Sequence, residues 1–132
     1  MKKLFFLQDS GQALISILFI TIIGMTVISS AAVIIYGNIQ SASITEQGIY
    51  AYFVAESGAE EGLLRLIRNP SYTGTPANQP LLVGLGSAII QADSSSGTIT
   101  STGTYNNSVR KIQVKTVYNN GVLTVTFWKE VY

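Results

Sequence analysis

The sequence predicts an α+β protein in which a long N-terminal α-helix, membrane-spanning in its first half and amphipathic in its second, packs against a small antiparallel β-sheet head of three to four strands. Three observations carry this. No charged side chain occurs from Ser10 through Thr45. No proline occurs between Gly37 and Asn69, where apolar residues recur at helical spacing. From Thr98 onward, apolar and polar residues alternate in runs separated by asparagine-rich turns. The expected segments are a leader over 1–11, an assembly or membrane half of the helix over 12–36, a stalk half over 37–69, a loop region with one possible short strand over 70–97, and a β-meander over 98–132.

The apolar run is Gly11 to Tyr36, reading GQALISILFITIIGMTVISSAAVIIY. About 20 apolar residues suffice for a helix to cross a bilayer, so the chain is expected to be a single-pass membrane protein. Lys2 and Lys3 precede the run, which keeps the N-terminus cytoplasmic and sends the C-terminus out of the cytoplasm. An ordinary secretory signal would have a shorter apolar region and a small-residue cleavage site, which Ser29 to Ala32 imitates. Gln8 to Ser10 interrupt the apolar pattern early, and the later run is longer than such a signal needs.

Beyond Tyr36 the helical pattern continues. Ile49, Tyr52, Phe53, Ala59, Leu63, Leu66 and Ile67 recur on one face. Glu61, Arg65 and Arg68 fall opposite, with Glu61 and Arg65 spaced for an i,i+4 pair and the arginines suited to the negative end of the helix dipole. Asn69-Pro70 ends the helix, because proline disfavours helical geometry in the residue before it. Unbroken from Gln12 to Arg68, it would be roughly 85 Å long at 1.5 Å per residue. Gly24, Gly37, Gly48, Gly58 and Gly62 lie inside it, each costing about 1 kcal/mol relative to alanine. Gly24 reads equally as a kink or as a site of close helix approach, and the others read as kinks and loose turns. Glu56 and Glu60 lie on or beside the apolar stripe, either reaching water at its edge or buried with a partner.

Ser71 to Pro80 is rich in Pro, Gly, Thr, Asn and Ser and reads as a loop. Within Leu81 to Ala92, AIIQA suits a short strand, and Asp93 to Gly97 a turn. Thr98 to Tyr105, Val109 to Tyr118 and Val122 to Val131 read as strands joined at Asn106-Asn107 and Asn119-Asn120-Gly121. Ile112, Val114, Thr116 and Tyr118 alternate with Lys111, Gln113 and Lys115, and Leu123, Val125 and Phe127 repeat the period. One apolar face of so few strands needs cover, and the helix stripe is the surface available.

Composition narrows the chemistry. The 132 residues include neither cysteine nor histidine, which removes thiolate metal sites, disulfides and the commonest general base. Net charge is +1, and six basic and six acidic side chains remain beyond the leader, without the basic excess of a nucleic-acid binder. Ser57 beside Glu56 and the Ser94 to Ser96 run read as packing and turn residues rather than nucleophiles. GLG at Gly84 to Gly86 lacks the remaining glycine and lysine of a phosphate loop. Arg110, Lys111 and Lys115 read as a solvated strand face, with lysines guarding a sheet edge. No enzyme, metal or cofactor is expected.

The basic leader ending at Gly11, followed by Gln12, Ala13, Leu14 and Ile15 and a long uncharged helix, resembles the N-terminal segment of type IV pilins and pseudopilins. The stalk sequence AYFVAESGAEEGLLRL resembles that of minor pilins of the PilX type, and ITSTGTY, RKIQVK and the final hairpin resemble a pilin head. The resemblance implies cleavage between Gly11 and Gln12 by a prepilin peptidase, methylation of Gln12, and assembly with other subunits into a cell-surface filament. It also implies that Glu56 ties the helix to the head, with Arg110 as the expected partner. Most members carry a glutamate five residues after the cut, whereas this chain has Ser16. The departure points to a minor or tip subunit. Two other readings stay open: an uncleaved single-pass membrane protein with a small partner-binding domain, and a secreted adhesive or DNA-binding domain.

Overall fold

The computed structural model describes residues 6–76 and 78–131, with side chains from residue 11 onward. Helix α1 spans Phe6–Arg68. It is followed by strands β1 (Leu81–Val83), β2 (Gly86–Asp93), β3 (Thr98–Tyr105), β4 (Ser108–Asn119) and β5 (Val122–Val131). The chain divides into two units, Met1–Ala42 and Ser43–Tyr132. Lys2 and Lys3 of the leader lie outside the described residues.

The second unit is an α+β fold in which the later part of α1 packs on an antiparallel sheet in the order β1-β2-β3-β4-β5. The expected three to four strands are thus five. The short strand expected at AIIQA is part of β2, and the strand beyond the expected number is β1, where Leu81↔Ala88 and Val83↔Gly86 pair around Gly84-Leu85. Loop residues beside β1 continue its work. Gly74 bridges Gln91, Thr75 N–H donates to the Ile90 carbonyl at 2.9 Å, and Ile90 N–H donates to Thr75 Oγ1 at 3.0 Å. The outer edge of β2 is therefore covered along most of its length, and β1 and β5 are the edge strands of the sheet.

Pro70 stops α1 where expected. The last turn closes with Asn69 N–H donating to the Arg65 carbonyl at 2.8 Å, and Asn69 Oδ1 accepts from Ser71 N–H at 3.0 Å. The β4–β5 turn residues Asn120 and Gly121 both have positive φ, 52° and 82°, the geometry that matches hairpin twist and that Asn-Gly adopts readily.

The core lies between helix and sheet. Ile90, Ile99, Ile112 and Val114 are completely buried, each contributing about 1.5–3 kcal/mol by leaving water. On the helix side the buried positions are Ala51, Val54, Ala55, Ala59 and Leu66. The expected stripe is only partly this face: Tyr52 and Leu63 pack against the core, but Ile49, Phe53 and Ile67 remain more than half exposed, at 51%, 54% and 57%. Small residues, not large apolar ones, mark the side that meets the sheet.

The glycines explain why. A Cβ on Gly58 would lie 2.7 Å from the Ala88 Cβ and collide with Ser101, and one on Gly62 would lie 2.9 Å from an Ile90 methyl. From the other side, a Cβ on Gly103 would strike the backbone of Ala51 and Ala55. Gly48, Gly58 and Gly62 are thus sites of close approach rather than loose turns. Gly24 and Gly37 would meet nothing within 4 Å.

The β4–β5 ladder holds a second departure from the sequence pattern. Thr116 pairs with Val125 but Lys115 pairs with Phe127, so Thr126 is the extra residue of a bulge. Leu123 and Val125 share the inner face of Ile112 and Val114, whereas Phe127 turns outward and Trp128 takes its place opposite Val114. A strict period of two misplaces every residue beyond such a bulge.

Replacing Gly58 by alanine gains about 1 kcal/mol of helix propensity but forces overlap with the sheet that typically costs 1–3 kcal/mol or more. Thermal unfolding of the full chain in detergent should show a net loss of stability for G58A and a neutral or stabilising effect for G37A.

Candidate functional site

In the first unit, every side chain from Gln12 to Ala42 outside Gly24 is exposed. The segment reaches a mean hydropathy of 2.5 over its most apolar window and is long and apolar enough to cross a membrane. Its hydroxyls are satisfied within the helix. Thr21 Oγ1 donates to the Leu18 carbonyl, Thr26 Oγ1 to Ile23, Ser29 Oγ to Met25 and Ser30 Oγ to Thr26, all at 2.8 Å. Such back-bonding lets hydroxyl side chains sit in an apolar medium without unpaired donors.

Gly11 and Gln12, the expected cleavage pair, are helical and exposed. Ser16 lies one turn beyond, and its hydroxyl donates to the Gln12 carbonyl at 3.0 Å. The two positions singled out by sequence, Gln12 and Ser16, are therefore in contact, through a neutral hydrogen bond rather than an ion pair.

In the second unit, Arg110 does contact the helix but not at Glu56. Its Nη1 donates to Glu130 Oε1 at 3.0 Å, and its Nη2 would lie 3.1 Å from a Cβ built on Gly48. The cause is register. Ile112 faces Glu130 across β4 and β5, so Arg110, two residues away on the same face, is the diagonal neighbour of Glu130. Glu56 is half-buried, and among the described residues the ion pairs are Arg110–Glu130 and Glu61–Arg65. Glu130 is thus a contact residue that the sequence reading missed, since nothing local relates residues 20 apart across a bulged hairpin. Ile44, Gly48, Ile49, Tyr52, Arg110 and Glu130 line a shallow groove of about 360 Å³ beside this pair.

The i,i+4 pair expected on α1 forms, with Arg65 Nε donating to Glu61 Oε1 at 2.7 Å. Arg65 also stands 5.8 Å over the Tyr72 ring, tying the helix end to the following loop. Lys111 and Lys115 are exposed, but β4 is an inner strand, so they do not guard an edge. Lys129 on β5 does, lying 5.0 Å over the Phe127 ring.

Ser94 to Ser96 form the β2–β3 turn. Ser95 Oγ and Ser95 N–H both donate to Asp93 Oδ1, at 2.6 and 2.9 Å, and Ser96 Oγ donates to Oδ2 at 2.7 Å. These bonds, the Ser95 hydroxyl foremost, hold the Asp93 carboxyl at about 2, below its ordinary 3.8. Ser57 is half-buried beside Glu56. Among the described residues no group of three or more histidine, cysteine, aspartate or glutamate side chains could hold a metal ion.

No protein-family model, curated protein or solved structure matches this chain.

Two measurements check this geometry. A double-mutant cycle on R110A and E130A should give a coupling of about 0.5–1 kcal/mol, as for partly exposed ion pairs, whereas pairing R110A with E56Q should give none. In an NMR titration the Asp93 carboxyl should have its midpoint near 2, rising toward 3.8 in S95A. Because the folded-state value is the lower one, its contribution to stability is full above about 3.9 and is lost as pH falls toward 2.

Proposed function

We propose that the chain is a structural subunit of a type IV pilin-like or pseudopilin-like filament, held first in the cytoplasmic membrane and then packed into the filament by the same helix. The observation that carries this reading is α1 itself. One helical element supplies an uncharged apolar segment with no cover of its own and, further on, the face on which a small sheet is built. Apolar side chains such as Leu14, Ile17, Leu18 and Phe19 are 58–69% exposed, and each gains by exchange of lipid contact for contact with neighbouring helices.

In this reading a prepilin peptidase removes the leader after Gly11, and Gln12 becomes the methylated N-terminus. The head remains outside the cytoplasm and sets the filament surface. Ser16 offers a neighbour's new amine a neutral hydroxyl that is already bonded to the Gln12 carbonyl. An amine buried in an apolar core without a counter-charge is costly, which favours a minor subunit near the tip, where no subunit lies above.

The mass of the mature N-terminus tests the reading. A chain beginning at Gln12, with or without one added methyl, supports it, and retention of Met1 on a permanently membrane-embedded protein overturns it. Counting copies in sheared filaments tests the position: a chain repeating along the whole shaft overturns the tip assignment.

A further inference from the structure

Two faces of the second unit stay uncovered, and their chemistries are complementary. The first is the side of α1 turned away from the sheet. At about 100° per residue, Glu46, Ile49, Phe53, Glu60, Leu64 and Ile67 fall in one stripe, roughly opposite the Ala51–Gly62 stripe that meets the sheet. Ile49, Phe53, Leu64 and Ile67 are 49–57% exposed. Glu46 and Glu60 are exposed on this stripe and Glu56 lies half-buried at its margin, and the ion pairs among the described residues involve none of the three.

The second is the outer face of the sheet. Lys111, Gln113 and Lys115 of β4 stand opposite Val131, Lys129 and Phe127 of β5, so Lys129 is the diagonal neighbour of both other lysines. These three are all the lysines of the chain beyond the leader. The β3 residues paired with them, Thr98, Thr100 and Thr102, are neutral. Asp93 at the far corner has its carboxylate occupied by Ser95 and Ser96. Apolar side chains frame the lysines, with Val109 58%, Ile89 38% and Phe127 38% exposed.

We propose that the outward stripe of α1 in one copy docks on the outer sheet face of a second copy of this chain. The inference rests on the filament reading above, independently of the tip position within it, and names a head contact between copies. Charge decides the occupant: two helix stripes face to face would oppose glutamates, and two sheet faces would oppose lysines, so only the mixed pairing brings opposite signs together. The scales agree. Glu46 and Glu56 are about 15 Å apart along a helix. Lys111 and Lys115 are about 13 Å apart along a strand. Because the two faces differ, the contact does not close on itself, and a chain confined to the end of a filament makes it only between the few copies present there.

The chain has no native cysteine, which permits a direct test in full-length protein in native membranes. One copy carries E60C and a co-expressed copy carries K115C, and a short bis-maleimide is added. A cross-linked dimer that requires both substitutions is expected. Adding K111E and K129E to the K115C copy should lower the yield about tenfold, adding E46K and E56K to the E60C copy should do the same, and combining both sets should restore it. Absence of the dimer, or failure of the combined reversal to restore it when each copy remains folded by circular dichroism, overturns the inference. The N-terminal mass is read on the same samples. A chain processed to Gln12 that gives no cross-link overturns the docking alone, and a cross-linking chain that keeps Met1 overturns the filament reading alone.

Discussion

The head depends on how closely the sheet approaches the helix. Where Gly58 and Gly62 face Ala88, Ser101, Ile90 and Ile99, no Cβ fits on the helix side, and where Gly103 crosses Ala51 and Ala55, none fits on the sheet side. That proximity lets Ile90, Ile99, Ile112 and Val114 reach complete burial in a unit too small for a deep core. It has a cost beyond the helix propensity lost at each glycine. The Ser101 hydroxyl is buried against Gly58 with no hydrogen-bond partner, which is tolerable only because a larger or bonded side chain would push the layers apart.

Keeping small residues on the covered side leaves the large ones elsewhere. Ile49, Phe53, Leu64 and Ile67 are turned away from the sheet, and the membrane-length segment before them is likewise uncovered. A helix that spends alanine and glycine on its own packing and leaves its isoleucines and phenylalanines outside has apolar surface to give to lipid or to other subunits. The charges follow the same division. Glu61–Arg65 and Arg110–Glu130 are paired within the unit, while the unpaired glutamates and the lysines lie on opposite outer faces.

The sequence by itself determined what depends on neighbouring residues. The charge-free run and Pro70 gave the helix and its end, Thr98–Tyr105 and Val122–Val131 were legible as strands, and Asn120-Gly121 as the β4–β5 turn, because propensity, periodicity and turn chemistry act over a few residues. What only the tertiary structure decided depends on partners distant in sequence. A glycine in a helix carries no signal of what approaches it, so the covered face was misread toward the large apolar residues. β1 is three residues long and exists because β2 is beside it. The bulge at Thr126 is set by the fit of β5 to β4, and it turned Phe127 outward. The resemblance implied Glu56 as the partner of Arg110, whereas the β4–β5 register brings Glu130 to it.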